Sequence, residues 1–376
     1  MAFTFSFGFS GDDIDTDDAD IHDSHERVSQ ESGTVSTLPE LLKAKRHEMD
    51  EWLPTLPSQI SYNKCRISPF QNADVSTGRS ALVVARREIF DIRAQLMVED
   101  SAEEQNGELI AGLEQGDIKP NFYEGGFKTW ECSIDLGRLV VAEEVDFDHT
   151  HIVELGAGTG VPSLALFAQL LSRTDSVSTA SSAKGTKKTH FTFADYNSSV
   201  LRLVTLPNLI LTWDYFVTHR NSSPPSDSQP RDKTDEHEEE LDITSDLLVA
   251  FQNDLTQRGI TIDFVSGAWS RSFVDLVFTS PELANFKTLV LASETIYAPA
   301  SLDAFSETLF ALLHRSSAQG RALLAAKRVY FGVGGGVDEF LAVLRRVSGT
   351  SLRVEERVDI RTEGVGRTIL EIAVGR

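Results

Sequence analysis

The sequence predicts an α/β fold built on a mostly parallel sheet with helices on both faces. From about residue 118 onward, short apolar runs of strand length alternate with segments of helical periodicity, which is typical of a doubly wound sheet. The last two runs, LRVEERVDI and TILEIAV, have no helix between them and predict an antiparallel edge hairpin. A glycine-rich turn, GAGTG, follows the first run and precedes a helical pattern over roughly 161–171.

Seven strands are predicted in this part of the chain. In chain order they cover 151–156, 190–196, 259–265, 286–293, 320–329 and the hairpin strands 352–360 and 368–374. Two polar stretches interrupt the alternation, and we interpret 172–189 and 219–246 as surface insertions.

The chain before the domain has a different composition. Residues 1–80 are rich in Asp, Ser, Thr and Glu and predict an acidic, largely flexible tail, with one short helix near 38–53. We expect 81–117 to be a connecting segment and 118–376 to be the folded domain.

Charge and composition exclude several classes of function. The formal charge is 35 − 57 = −22, which opposes direct binding of DNA or RNA phosphates. The negative charge suits a basic protein partner, and the alternative is that acidic tails only keep the protein soluble. Two distant cysteines give no disulfide framework, and no run of apolar residues or signal peptide predicts membrane insertion. We therefore expect a soluble protein of the cytoplasm and nucleus. We also expect it to be a monomer.

The glycine turn restricts the choice of cofactor. Glycines at 156, 158 and 160 bring bare backbone close to a ligand, but a dinucleotide fingerprint needs a small residue at 161, where Val161 stands. No phosphate-binding P-loop is present in the sequence. Glu154 precedes the turn and would repel a pyrophosphate, whereas it suits a cationic ligand such as S-adenosylmethionine, which carries an ammonium and a sulfonium.

Asp195 ends the second predicted strand, 39 residues after Gly156. Without the 18 residues of the first insertion the gap is 39 − 18 = 21, near the roughly 20 expected for a carboxylate that binds a ribose diol. The alternative role for Asp195 is to cap the following helix.

Several motifs together resemble one family. ELGAGTG and ADYN are similar to the first two motifs of the seven-strand, Rossmann-like S-adenosylmethionine-dependent methyltransferases. Five segments within about 118–376 resemble the protein-histidine methyltransferase family and occur in the family's order: YEGGFKTWECSIDL, DYNSSVLRLVTLPN, SGAW, SETIY and YFGVGGGV. The FTFSF segment near the start of the chain is also similar to that family.

The resemblance implies a cofactor site at the carboxyl ends of the strands. Its implied cofactor contacts are Thr129, Trp130, Glu131, Cys132, Glu154, Gly156, Gly158, Asp195, Tyr196, Asn197, Gly267, Ala268, Trp269 and Ser293. Related sequences often have an acidic residue where Ala268 stands, so only its backbone is expected to contact the cofactor. The alternatives are an amphipathic helix for Trp130 and Glu131 and core packing for Trp269.

The resemblance also implies an acceptor pocket containing Glu294 and Tyr297, although Glu294 could instead be an acid that favours the start of a helix. A neutral histidine needs no strong base to accept a methyl group, and Glu294, a backbone carbonyl or, on weaker grounds, Asp135 could hold its N–H. The glycine run 332–336 could admit a substrate segment or form a plain turn. We interpret His149 and His151 as solvent-exposed positions rather than metal ligands.

The family's substrate class predicts tele-methylation of a histidine in a large-subunit ribosomal protein. Three alternatives remain open at this point: a lysine methyltransferase of the same fold, a cofactor-binding assembly factor without turnover, and a nicotinamide oxidoreductase. Val161 opposes the last of these.

Overall fold

The structure is a computed structural model that describes residues 42–70, 81–99, 125–174, 188–219, 239–316, 320–361 and 364–375. The strands within these residues are β1 Lys45–His47, β2 Gln59–Ile67, β3 Leu82–Arg87, β4 Thr150–Leu155, β5 Thr189–Asp195, β6 Glu239–Asp242, β7 Ile260–Ser266, β8 Lys287–Ser293, β9 Gly320–Lys327, β10 Leu352–Ile360 and β11 Arg367–Val374. The α-helices within these residues are α1 Met49–Trp52, α2 Ile89–Glu99, α3 Glu131–Ala142, α4 Val161–Thr174, α5 Ser198–His219, α6 Ser245–Gln257, α7 Arg271–Val277, α8 Leu302–Arg315 and α9 Val337–Ser348.

An eight-stranded sheet in the order β1-β7-β5-β4-β8-β9-β11-β10 forms the centre of the fold. The five strands from β7 to β9 in this order are parallel, and β11 and β10 form the antiparallel hairpin that the sequence predicts. The predicted fold class is therefore confirmed. After β4 the chain continues to β5 and β7 on one side of β4 in the sheet, and it then crosses to β8 on the other side of β4. The strand order therefore reverses between β4 and β8, and this topological switch point is where open α/β sheets bind ligands.

The sheet is covered on both faces. β4 and β5 are buried along their whole length, as expected of strands inside a parallel sheet. Successive side chains alternate between two cores: Ile152 packs with helices α3 to α6, and Val153 packs with α7 to α9. This alternation also determines on which face each polar side chain of the strands lies.

The prediction of a flexible tail up to residue 80 is wrong for residues 42–70. β1 pairs antiparallel with β7, and Arg46 forms an ion pair with Asp263 at 2.8 Å. β2 pairs with β3 and β6 in a separate three-stranded sheet, so residues 239–242 belong to a strand and not to a surface insertion. β1 and β6 have only three and four residues, and β2 is more than half polar. Because β1 pairs with β7 and β2 pairs with β6 far along the chain, local periodicity does not reveal these strands.

Parts of other predictions lie outside the described residues. In the predicted tail and insertions, these include the chain before residue 42, residues 175–187 and residues 220–238. Residues 100–124, which include part of the connecting segment and the first two residues of the YEGG motif, also lie outside the described residues. The predicted helix near 38–53 is, in its described part, the strand β1 followed by the one-turn helix α1.

Helix α5 is long and apolar enough by composition to cross a membrane. Most of this helix is buried inside the protein, where it packs in the core on the β4 to β5 side of the sheet. We therefore interpret it as a core helix.

Candidate active site

The glycine turn exposes backbone at the end of β4. Gly156, Gly158 and Gly160 have φ angles of 64°, 51° and 72°, which glycine adopts without steric cost. A Cβ at Gly156 would lie 2.8 Å from Cγ2 of Thr295, and one at Gly158 would lie 3.2 Å from the carbonyl oxygen of Gly126. Both glycines are therefore needed for the close approach of neighbouring segments, and the turn presents a cradle without side chains.

Asp195 lies at the end of β5 and is fixed against this turn. Its carboxylate accepts the backbone N–H of Gly158 at 3.0 Å and that of Asn197 at 3.2 Å. Asn197, which is buried, is the N-cap of α5. The half-buried Tyr196 lies between them, and its carbonyl oxygen accepts the N–H of Gly267 at 3.2 Å.

Glu154 is a buried carboxyl group beside the turn. Its Oε2 accepts the backbone N–H of Ser163 at 3.0 Å, while Oε1 has no hydrogen-bond partner among the described residues. Burial raises the pKa of Glu154 to about 8. A buried oxygen without a partner usually marks a place for a ligand group or water, and the ammonium of S-adenosylmethionine fits this oxygen in charge and hydrogen-bonding capacity.

Residues 125–130 lie over the glycine turn. The hydroxyl of Thr129 donates to the hydroxyl of Thr159 at 3.0 Å, and the indole N–H of Trp130 donates to the carbonyl of Gly125 at 3.0 Å. α3 begins directly afterwards at Glu131. The covering position that the resemblance implies for this segment is therefore compatible with the structure, and the amphipathic helix of the alternative interpretation starts only at its end.

The SGAW segment is held by residues 42–44, which lead directly into β1. Gly267, with φ of 113°, donates its N–H to the carbonyl of Asp195 at 3.0 Å, and Ala268 donates its N–H to the carbonyl of Leu42 at 2.9 Å. A Cβ at Gly267 would lie 2.6 Å from the carbonyl oxygen of Lys43. The backbone N–H groups of these two predicted cofactor residues thus bind the protein itself, and their contact with the cofactor stays a prediction.

Trp269 packs edge to face on Phe273 and Phe305, with ring centroids 5.2 and 5.8 Å apart. The structure thus shows a packing role for its half-buried ring, as in the alternative interpretation. Stacking of Trp269 on an adenine stays a prediction.

Glu294 follows β8 in a strained conformation. Its φ of 56° is unusual for a residue with a side chain, its N–H donates to the carbonyl of Ala325 at 3.0 Å, and its side chain is only 9% exposed. Such backbone strain is often found at functional sites. Ser293, the last residue of β8, is half-buried and lies opposite Ala325 of β9.

Tyr297 is half-buried and lies three residues after Glu294 in the same segment. Its ring is 6.3 Å from that of Tyr330, in an edge-to-face arrangement. Gly335 of the glycine run packs so closely on the carbonyl of Tyr297 that a Cβ there would overlap it. The glycine run therefore lies beside the predicted acceptor residues.

Three side chains around Glu294 complete the site, and two of them were not predicted. The ammonium of Lys327 lies 3.0 Å from Oε2 of Glu131, 3.6 Å from Oε1 of Glu294 and 5.4 Å from the centroid of the Trp130 ring. Burial and the neighbouring Glu294 raise the pKa of the Cys132 thiol and of the Tyr330 hydroxyl far above their ordinary values, so both groups are neutral. The available signal for Lys327 was its place at the end of a parallel strand, and Tyr330 is the first residue of the YFGVGGGV motif that follows this strand.

Two other sequence interpretations need correction. Asp135 forms a buried ion pair with Arg367 at 2.6 Å, so its carboxylate is already engaged and is a poor candidate for holding a substrate histidine. His149 is exposed as expected, but His151 is fully buried, lies 2.8 Å from the hydroxyl of Thr192 and packs against His190. A strand buried on both faces leaves no solvent-exposed position for His151.

The chain is similar to known proteins along almost its whole length. No protein-family model matches it. It is 33% identical to histidine protein methyltransferase 1 of Saccharomyces cerevisiae, covering 99% of both chains, and 32% identical to that of Schizosaccharomyces pombe, covering 97% of this chain and 92% of the relative. Among solved structures, a putative class I S-adenosylmethionine-dependent methyltransferase from Listeria monocytogenes shares 11% identity and a TM-score of 0.37, covering 76% of this chain and 68% of its own.

Proposed function

Because the chain belongs to the histidine protein methyltransferase family and is an enzyme that uses S-adenosylmethionine, we propose that it methylates the tele nitrogen of a histidine in a large-subunit ribosomal protein. One observation supports most directly that the reaction takes place at this site. The glycine turn, Asp195 and Glu294 follow three strands, β4, β5 and β8, whose parallel register brings their carboxyl ends to one edge of the sheet.

The site has residues suited to the ribose and to the ammonium group of the cofactor. The backbone at Gly156 and Gly158 allows close approach, Asp195 can accept from the ribose hydroxyls, and Glu154 can pair with the ammonium group. When bound, S-adenosylmethionine supplies a methyl group on a positively charged sulfur, which a lone pair can attack directly.

The protein must then orient a neutral imidazole. A histidine with a pKa near ~6.5 is mostly neutral at pH 7, so catalysis depends on positioning more than on a strong base. If the Glu294 carboxylate accepts the N–H of the pros nitrogen, the lone pair of the tele nitrogen is available for methyl transfer. The same carboxylate stabilises the positive charge that develops on the ring as its nitrogen is methylated.

The choice of substrate is supported by charge. With a formal charge of −22, the protein attracts a basic partner, and ribosomal proteins are basic because they bind RNA. We propose that the two proteins meet in the cytoplasm or the nucleus, where ribosomal proteins are made and assembled.

The test uses purified protein, isotopically labelled S-adenosylmethionine and large ribosomal subunits or their precursors. Total hydrolysis of the products separates the two methylhistidine isomers from methyllysine, and Asp195→Ala is the control for the cofactor site. We expect label in tele-methylhistidine that disappears in the control. Label in methyllysine alone, or no label in any ribosomal protein, would contradict the proposed substrate and product.

A further inference from the structure

Lys327 lies between the segment that covers the glycine turn and the carboxylate expected to orient the acceptor. Its ammonium is 3.0 Å from Glu131 at the start of α3 and 3.6 Å from Glu294 at the end of β8. The Lys327 side chain is 19% exposed and that of Glu294 is 9% exposed, so solvent screens the interaction between these two only weakly, whereas the Glu131 side chain is 60% exposed. The ammonium also lies over the face of Trp130.

The charges around Glu294 can be counted among the described residues. Glu131 and Glu294 contribute two negative charges and Lys327 one positive charge. Asp135 and Arg367 pair with each other, and the buried Cys132 and Tyr330 are neutral. Although burial acts against its charge, the two carboxylates raise the pKa of Lys327, so its ammonium persists at neutral pH.

From this placement we propose that Lys327 determines specificity for histidine over lysine, because its ammonium occupies the charge-pairing position beside Glu294 that a lysine acceptor would need. This inference rests on the proposed methylation of a histidine at this site. A substrate ammonium that approached Glu294 would meet the resident ammonium and would be repelled, whereas a neutral imidazole carries no such charge. Glu294 alone does not make this distinction, since a carboxylate can bind an ammonium as well as the N–H of an imidazole.

The decisive variant is Lys327→Met, which keeps an unbranched side chain of similar length and removes the charge. The probes are the recombinant ribosomal protein that becomes labelled in the experiment above and its variant with lysine at the methylated position, used as a competitive inhibitor. Lys327→Arg retains the charge, and Lys287→Met is a matched control because it removes a lysine at the opposite, amino-terminal end of β8, where it pairs with Asp146.

We expect Lys327→Met to bind the lysine-bearing competitor at least about tenfold more tightly than the wild type does, because two carboxylates are then left without their cation. On the histidine substrate, kcat falls at low pH because a protonated imidazole cannot accept the methyl group. This acid limb of the pH profile should move to higher pH by about one unit, because the uncompensated carboxylates stabilise the imidazolium of the bound substrate. Lys327→Arg and Lys287→Met should both keep the wild-type inhibition constant of the competitor and the wild-type position of the acid limb.

The outcomes separate this inference from the proposed function. If the wild type labels no histidine, the proposed function fails. If the wild type labels histidine while Lys327→Met changes neither the inhibition constant of the competitor nor the acid limb, Lys327 has no role in specificity and the inference is wrong. A lower kcat in Lys327→Met with both of these readouts unmoved would indicate a merely structural role and would overturn the inference in the same way.

Discussion

The carboxylate of Asp195 accepts the backbone N–H of Gly158 at 3.0 Å, although the two residues are 37 positions apart in the chain. This bond joins the end of β5 to the turn that follows β4. The group expected to bind the ribose therefore also holds the shape of the glycine turn, and the two motifs act as one site.

Replacing Asp195 by Asn should weaken cofactor binding while leaving the fold intact. The amide keeps the shape of the side chain but loses the charge that strengthens its hydrogen bonds. Since a hydrogen bond to a charged group contributes about 1.5–3 kcal/mol, we expect the Kd of S-adenosylhomocysteine to rise by about 10- to 100-fold. Calorimetric titration measures this change. Asp275→Asn removes an exposed carboxylate that pairs with Arg315 and should leave the Kd unaltered. Equal affinities for Asp195→Asn and the wild type would contradict the role given to Asp195.

Binding of the cofactor product should release a proton from Glu154. The pKa of Glu154 is about 8 without ligand, so the group is mostly protonated at pH 7. An ammonium placed beside its unpartnered Oε1 favours the ionised form and lowers this pKa. Titration calorimetry of S-adenosylhomocysteine in buffers of different ionisation enthalpy should show close to one proton released at pH 7 and far less at pH 9, where the group is already ionised. Glu154→Gln should abolish the release. A proton count independent of this substitution would show that the ammonium binds elsewhere.

A methyl group at Gly267 should displace the N-terminal strand. Gly267→Ala places a Cβ 2.6 Å from the carbonyl oxygen of Lys43, while Gly349→Ala offers a control with a positive φ and open space around it. Both variants have backbone strain, but only Gly267→Ala adds a clash, so we expect it to lose about 1–3 kcal/mol more stability than the control. Denaturant unfolding gives the difference, and hydrogen exchange should show loss of protection in β1. Equal losses in both variants would mean that residues 42–44 do not pack here.

Phe331 should contribute to binding of the protein substrate. Its side chain is 78% exposed and follows Tyr330, which packs against Tyr297. Exposed aromatic side chains beside an active site commonly mark a contact with a partner. We expect Phe331→Ser to raise KM for the ribosomal protein by about five- to tenfold, a change of about 1–1.4 kcal/mol, without altering the Kd of S-adenosylhomocysteine. Val249→Ser, on an exposed face of α6, is the control. An unchanged KM would show that the 330–336 loop does not contribute to binding of the protein substrate.

Much of the fold was predictable because the central strands are continuous apolar runs. β4, β5, β8 and β9 were found within one or two residues of their bounds, and the glycine turn and Asp195 followed from spacing. β1 escaped prediction because it has only three residues, which is too short to show a period. Its pairing with β7 also fills the space beside Gly267 that the sequence alone left for a cofactor.

The parts of the site that depend on pairing between distant strands were not predictable. Lys327 and Glu294 meet because β8 and β9 are parallel neighbours, and no local pattern around either residue marks the other. Likewise, the engagement of Asp135 by Arg367 requires β11 to lie beside α3, far away in the sequence. Motif spacing locates the strand ends, but only the sheet order shows which side chains neutralise one another.

The central claim is that Glu294 orients the histidine for methyl transfer, and Glu294→Gln tests it most directly. The measurement is the rate of tele-methylhistidine formation in the ribosomal protein, made beside the Kd of S-adenosylhomocysteine for the same variant. We expect the affinity to stay within about twofold and the rate to fall by about 100-fold, as for loss of one charged group that stabilises the transition state. Unchanged methylation by Glu294→Gln, with the cofactor bound as in the wild type, would contradict the account.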